Sequence, residues 1–469
     1  VNLSAAHARW IVAAFLAWLG GSGAVPSTAA EPRALVGAGA CTSSGCHAAP
    51  VEGHEAWQSS YTVWATLDPH ARAHRVLFDP LAARIVAALA TRDPAMAAVP
   101  APENRACVGC HATAGGEFAA TGVSCESCHG PARDWLVAHT LPGWKTRGNT
   151  LGMVDLADPT TCGLQCAGCH VGGPPTADGS VREVSHDLIA AGHPRLAFEL
   201  RSSKAAEPPH WRDRLRNSGS DAFVDPLDEW ALGRAATLRA FLEQTLRQVE
   251  EARGVSGPAG GSAPLARVWP EFTAFDCYGC HRPAIAAVDA AGAVGAAATR
   301  RPSRGMPRLE PLQWSLLDVA LPADAAGSLA AFRADVEAAW WIPPTPSAIR
   351  DALAVLDGAR PRIRGSLAAN PASVARRVAA AADAASWDEA AAGLAALEAV
   401  RDHAVVRGAD AAAVAAATEA LTALRRQLEF DGVASGPRFD SPRGYDPAAV
   451  ATAIEEAAAA VAIATARDE

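Results

Sequence analysis

Within the stretch Gly122-Val123-Ser124-Cys125-Glu126-Ser127-Cys128-His129, two thiols and an imidazole fall inside one short turn of chain. The same Cys-x-x-Cys-His pattern recurs at Cys107, Cys110 and His111, at Cys166, Cys169 and His170, and at Cys277, Cys280 and His281. The spacing has a chemical reason. Two thiols a turn apart add to the two vinyl groups of one haem, and the adjacent histidine then lies under the ring and gives its imidazole to iron. A variant motif, Cys41-Thr42-Ser43-Ser44-Gly45-Cys46-His47, has a longer loop between the thiols, in which Gly45 and the serines allow a bulge. A plain disulfide between Cys41 and Cys46 is its alternative. Thioredoxin-like redox centres and structural zinc fit poorly, because neither needs a histidine after the second thiol every time. The expected cofactors are therefore five haem c groups.

Eleven cysteines in all is an odd number, which already argues against a complete disulfide framework. Cys162 is left over, and burial as a free thiol is expected for it; irregular haem attachment and pairing between chains are the other readings. An iron that only passes electrons wants a second axial ligand, since an occupied sixth position excludes substrate. Methionine cannot serve throughout, because the chain has only Met96, Met153 and Met306. Histidine can. Setting aside the five motif histidines and His7 leaves His54, His70, His74, His139, His186, His193, His210 and His403, and all but His403 lie within the haem-motif region.

The first 30 residues hold no Asp or Glu and run from Arg9 through an apolar stretch, residues 10–19, to the small-residue site Ser27-Thr28-Ala29-Ala30. This is the pattern of a secretory signal peptide, too short in its apolar part for a span of roughly 20 residues. The mature protein is expected to have no membrane span and to be periplasmic or otherwise extracytoplasmic. Acids outnumber bases, 50 to 41, and lysine occurs only at positions 145 and 204. No nucleic-acid partner is expected on that charge.

Several phrases resemble the multihaem cytochromes grouped with cytochrome c-554, the tetrahaem electron acceptor of hydroxylamine oxidoreductase. These are residues 122–132 with Trp135 and His139 after them, residues 61–72 with Asp68-Pro69-His70, and residues 185–196 with His186 and His193. The likeness covers about residues 36–285 and departs from the tetrahaem pattern in its fifth motif, its longer opening loop and its C-terminal extension. It implies His70, His139, His186 and His193 as distal ligands. His210, in Pro208-Pro209-His210-Trp211, is the fifth choice, with His54 and His74 as alternatives.

The fold expected is mainly α: a multihaem cytochrome domain of short helices and long irregular segments over residues 31–285, a linker over 286–330, and an Ala-rich C-terminal helical bundle over 331–469. Residues 228–252 read as one amphipathic helix with Leu238, Leu242, Leu246 and Val249 on one side. Beyond the linker, Asn370 before Pro371, Ser386 with Glu389, and Asp446 before Pro447 mark helix starts. Val414, Ala417, Leu421, Leu424 and Leu428 form one apolar stripe, and Val450, Ile454 and Val461 are expected to join it. Every haem motif precedes the bundle, so its removal is expected to leave the haems in place. The function expected is electron transfer between a redox-protein donor and acceptor, with no catalytic residue assigned. The alternative is an oxidoreductase acting on a small nitrogen or sulfur compound at one open haem.

Overall fold

The structure, a computed structural model, describes residues 34–144, 150–176, 179–211, 224–254, 268–276, 307–429 and 445–466. The signal-peptide stretch, the Cys277–His281 motif and residues 286–306 of the expected linker lie outside the described residues. The first part of the chain carries α1 (Ser60–Leu67), α2 (Pro80–Ala90), α3 (Arg105–His111), α4 (Cys125–His129), α5 (Pro159–His170), α6 (His186–Ala190) and α7 (Leu200–Ala206), joined by irregular segments and 3₁₀ turns. The long α8 (Pro226–Ala252) follows. Then come α9 (Pro311–Trp314), α10 (Leu317–Ala320), α11 (Ala323–Ala338), α12 (Pro346–Ala359), α13 (Pro371–Ala381), α14 (Trp387–Val406), α15 (Ala411–Leu428) and α16 (Pro447–Ala464). Among the described residues the only β-type pairings are isolated bridges, Gly173 to Arg182 and Phe275 to Leu309. The chain is mainly α, as its sequence leads one to expect.

The helix starts follow local chemistry. Asn370 Oδ1 accepts from the Ser373 amide at 3.0 Å, Asp410 Oδ1 from Ala413 at 2.9 Å and Asp446 Oδ1 from Ala448 at 2.9 Å, each satisfying an amide that the first helical turn leaves unpaired. Ser386 caps α14 through the Glu389 amide, but the Glu389 carboxylate accepts from Arg308 at 3.1 Å, so a tertiary partner has claimed it.

The sequence-based expectation of a one-sided α8 does not hold. Leu238, Leu242 and Val249 are buried, and so are Trp230, Leu232, Gly233, Ala236 and Ala240 around the other faces. The reason is that α8 packs against several helices, chiefly α5, which carries the Cys166–His170 motif, and α12 and α14. One continuous apolar core runs from α8 through α16, and Leu309, Leu312, Trp314, Leu317 and Leu329, all within the stretch expected to be linker, lie inside it. Ion pairs cross the same boundary, Arg195 to Glu310 at 3.0 Å and Arg201 to Asp402 at 2.5 Å.

By length and composition α16 is apolar enough to cross a membrane, contrary to the expectation that no later segment is. Its stripe Val450, Ala453, Ile454, Ala457 and Val461 is buried against α13 and α15 in the bundle.

Candidate haem-binding site

At three of the motifs the chain is helical through the histidine. His111, His129 and His170 each end their helix, so both thiols and the imidazole sit on the last turns. Asn104 caps α3 through the Ala106 amide at 3.0 Å and Asp158 caps α5 through Thr161 at 2.9 Å, which fixes where those turns begin. The Cys41–His47 loop is closed differently: the Cys46 and His47 amides both donate to the Ser43 carbonyl, at 2.9 and 3.0 Å. Two glycines admit close crossings. A side chain at Gly109, between Cys107 and Cys110, would run into the Val181 carbonyl at 2.1 Å, and Gly122, at φ +65°, lies against the carbonyls of His70 and Ala71.

The histidines meet in pairs that sequence order does not suggest. His47 faces His139 with ring centres 6.1 Å apart, His70 faces His170 at 6.0 Å and His111 faces His193 at 6.3 Å. Two imidazoles sharing one metal through bonds of about 2 Å each place their ring centres about 6 Å apart. In five of the six rings the Nδ1 atom is already engaged. His47 Nδ1 donates to the Trp57 carbonyl at 2.6 Å, His139 to Leu136 at 2.5 Å, His111 to Ala73 at 2.8 Å and His193 to Pro194 at 2.8 Å. His70 Nδ1 instead donates to the Asp68 carboxylate at 2.9 Å. His170 stacks on Phe198, with ring centres 5.5 Å apart.

A ring whose Nδ1–H is held by an oxygen presents the Nε2 lone pair outward, the tautomer a metal requires. That statement covers the five rings with a named acceptor. The residues therefore fit haem iron. His193 fits a neutral ring further: burial, the largest effect, and the facing His111 hold it below its usual range.

The remaining candidates separate. His74 is buried, but its Nε2, the nitrogen that the paired rings leave free of hydrogen bonds, is taken by the Pro102 carbonyl at 2.9 Å. His54 is exposed, its Nδ1 on the Glu52 carbonyl at 3.1 Å. His210 lies close enough to His129 to act on it: removal from solvent, with the charges of His210 and His47, pushes His129 down to about 4. His210 Nδ1 is buried without a partner among the described residues. His186 sits against the segment that leads to the Cys277 motif, its amide donating to Glu271 at 2.8 Å and its ring edge-to-face with Phe272.

The described cysteines are all free. Cys41 and Cys46 are not joined to each other; the Cys41 thiol lies beside that of Cys125, which holds it below its usual range, and the Cys169 thiol lies beside that of Cys110. Cys162 is buried among Phe198, Leu200 and Ala240. Trp135 and Trp144 pack edge-on against His139 and Trp57 against His47, whereas Trp269 belongs to the C-terminal core.

Sequence reasoning passed over Glu126, inside the Cys125 motif. Its buried carboxylate accepts from the amides of Val36 at 3.0 Å, Gly37 at 2.7 Å and Ala132 at 2.7 Å, tying the start of the described chain to the motif. An acid between the two thiols of the motif was the available signal.

Fold and site together define a class, the mainly α multihaem c-type cytochromes, with covalently bound haem c and a function in electron transfer. Within that class the chain resembles the cytochrome c554 family: residues 40–130 match the family model described as "Cytochrome c554 and c-prime", a span that contains the motifs ending at His47, His111 and His129. No curated protein matches the chain. No solved structure matches it either.

Proposed function

We propose that the protein carries five haem c groups and relays electrons outside the cytoplasm between a donor and an acceptor protein, with its irons closed by histidine on both faces. The observation that carries this reading is the set of three imidazole pairs at 6.0–6.3 Å. When bound, haem c supplies reversible one-electron chemistry at iron. The residues do the rest. Cys41 and Cys46, Cys107 and Cys110, Cys125 and Cys128, Cys166 and Cys169, and Cys277 and Cys280 attach the five groups. His47, His111, His129, His170 and His281 are the proximal ligands.

His139, His193 and His70, whose rings lie 6.0–6.3 Å from three of those, would be the second ligands of the same three groups. His210 is assigned to His129 by proximity. His186 is assigned to His281 because it packs on the segment entering that motif. Held by two histidines, such a group would leave no ligand position for a small substrate, which suits a carrier and not a catalyst.

The test combines mass and spectroscopy. Intact mass of the matured protein is expected to show five haem additions on a chain lacking residues 1–30, and the reduced protein to bind little carbon monoxide. His139→Ala is expected to turn one low-spin ferric haem high-spin. Four haem additions would remove the Cys41 motif from the set. One haem that binds carbon monoxide stoichiometrically, with turnover of hydroxylamine or nitrite at about 10 per second, would replace the carrier by an enzyme.

A further inference from the structure

Among the five facing histidines whose Nδ1 acceptor is identified, His70 alone donates to a charged group. The others, His47, His111, His139 and His193, donate to neutral carbonyls. The Asp68 side chain is only 3% exposed, and its Oδ1 accepts both the His70 ring at 2.9 Å and the His70 amide at 2.8 Å. Glu207 is the third member of this cluster: one ligand atom each of Asp68, His70 and Glu207 lie within 4.8 Å of one another. A carboxylate that accepts the Nδ1 proton makes the ring more basic and pushes electron density toward whatever its Nε2 binds, which favours the more positive oxidation state of a metal. Because Asp68 is buried, solvent and salt screen its charge little.

We infer that Asp68 is a positioning residue that lowers the reduction potential of the haem held between His70 and His170 below those of the haems held by His47 with His139 and by His111 with His193. This rests on the axial-ligand reading above. The simpler role of Asp68, as cap of the 3₁₀ turn Pro69–Arg72, is also real, so the test must separate the two. Asp68→Asn does that, since Asn caps about as well as Asp and its Oδ1 still accepts the hydrogen bonds, while the charge is gone.

The experiment is a potentiometric titration of the full haem-loaded protein, followed by EPR and optical spectra. His70→Ala identifies the haem concerned as the one whose low-spin signal is lost; if no signal is lost, the ligand reading itself fails. In the unaltered protein that haem is expected to be the last of the three to be reduced. In Asp68→Asn its reduced-to-oxidised ratio at a given potential is expected to rise about tenfold, an upward shift of about 60 mV for one electron, with the other haems and the haem number unchanged. If His70→Ala opens one haem but that haem is not the lowest of the three, or if Asp68→Asn moves no potential or moves all alike, Asp68 is a cap and nothing more.

Discussion

The two halves of the described chain are built on different sources of cohesion. Residues 34–211 hold their apolar side chains in small clusters, such as Leu77, Val86, Ala101, Val108, Ala112 and Ala119, and their helices are short. From α8 onward the helices, the short α9 and α10 apart, are mostly longer and share one core rich in Leu, Val, Ile and Ala side chains. The first half has cysteine and histidine where the second has leucine, so its interior suits covalently bound porphyrin faces in place of aliphatic packing. Helix α8 shows how the halves are joined: its Gly233 lies against Leu200, its Ala236 against Gly163 of α5, and its Leu242 is fully buried.

The largest effect that tests this comparison is deletion of residues 331–469. Sequence alone suggests that the haems survive, since no motif is removed. The shared core says otherwise: the deletion strips α12 and α14 from α8, which braces α5 and its Cys166–His170 motif. Loss of cooperative unfolding and of the haem at Cys166 is expected, read by circular dichroism and by peptide mass with haem attached. A truncated chain with full haem content and a sharp transition would show the halves to be independent.

Leu242→Ala and Leu77→Ala sharpen the contrast. The first opens a hole in a continuous core and is expected to cost about 2–5 kcal/mol, while the second, in a cluster of few members, is expected to sit near 2 kcal/mol or below. Denaturant midpoints for the two variants check the order. Equal costs would mean that the small cluster is packed as tightly as the large core.

A smaller effect is expected at the buried pair that anchors α8 to α14. Asp225 caps α8 through the Leu227 amide at 3.0 Å and accepts from His403 Nδ1 at 2.8 Å and Arg407 at 3.2 Å. Burial pushes Asp225 up, but the hydrogen bonds from His403 and Leu227 outweigh it and hold the carboxyl below its usual range. A depressed carboxyl contributes stability that is complete above its unfolded value, about 3.9, and that is lost as pH falls through its folded value. Acid titration of stability is therefore expected to fall away below about pH 4, and Asp225→Asn to lack that part of the slope. His403→Ala is expected to cost about 1–3 kcal/mol at neutral pH by leaving the carboxylate short of a donor.

How legible each half was follows from the range of the interactions involved. Caps at Asn370, Asp410 and Asp446 act within three residues, and the stripe from Ala417 to Leu428 repeats within one helix, so both are visible in local order. The thiol and histidine motifs are equally local. In contrast, the burial of α8 on all faces needed knowledge of its partners, α5, α12 and α14, two of them about a hundred residues or more along the chain. The stretch from Leu309 to Leu329 was rich enough in Pro, Arg and Ala around it to pass for linker, yet it is core.

For the site the division is sharper. By itself the sequence determined the attachment chemistry, because thiols and imidazole must be close along the chain to hold one ring, and it determined a surplus of histidines beside the motifs. Only the tertiary structure decided which ring faces which, joining His47 to His139, His111 to His193 and His170 to His70 across long stretches of chain. It also decided between neighbours: His70 and His74 are one helical turn apart in sequence, but His70 has its Nδ1 on Asp68 and its ring 6.0 Å from that of His170, while His74 spends its Nε2 on the Pro102 carbonyl. A histidine offers two nitrogens and only folding assigns them, since the oxygen that takes one of them comes from wherever the backbone happens to pass.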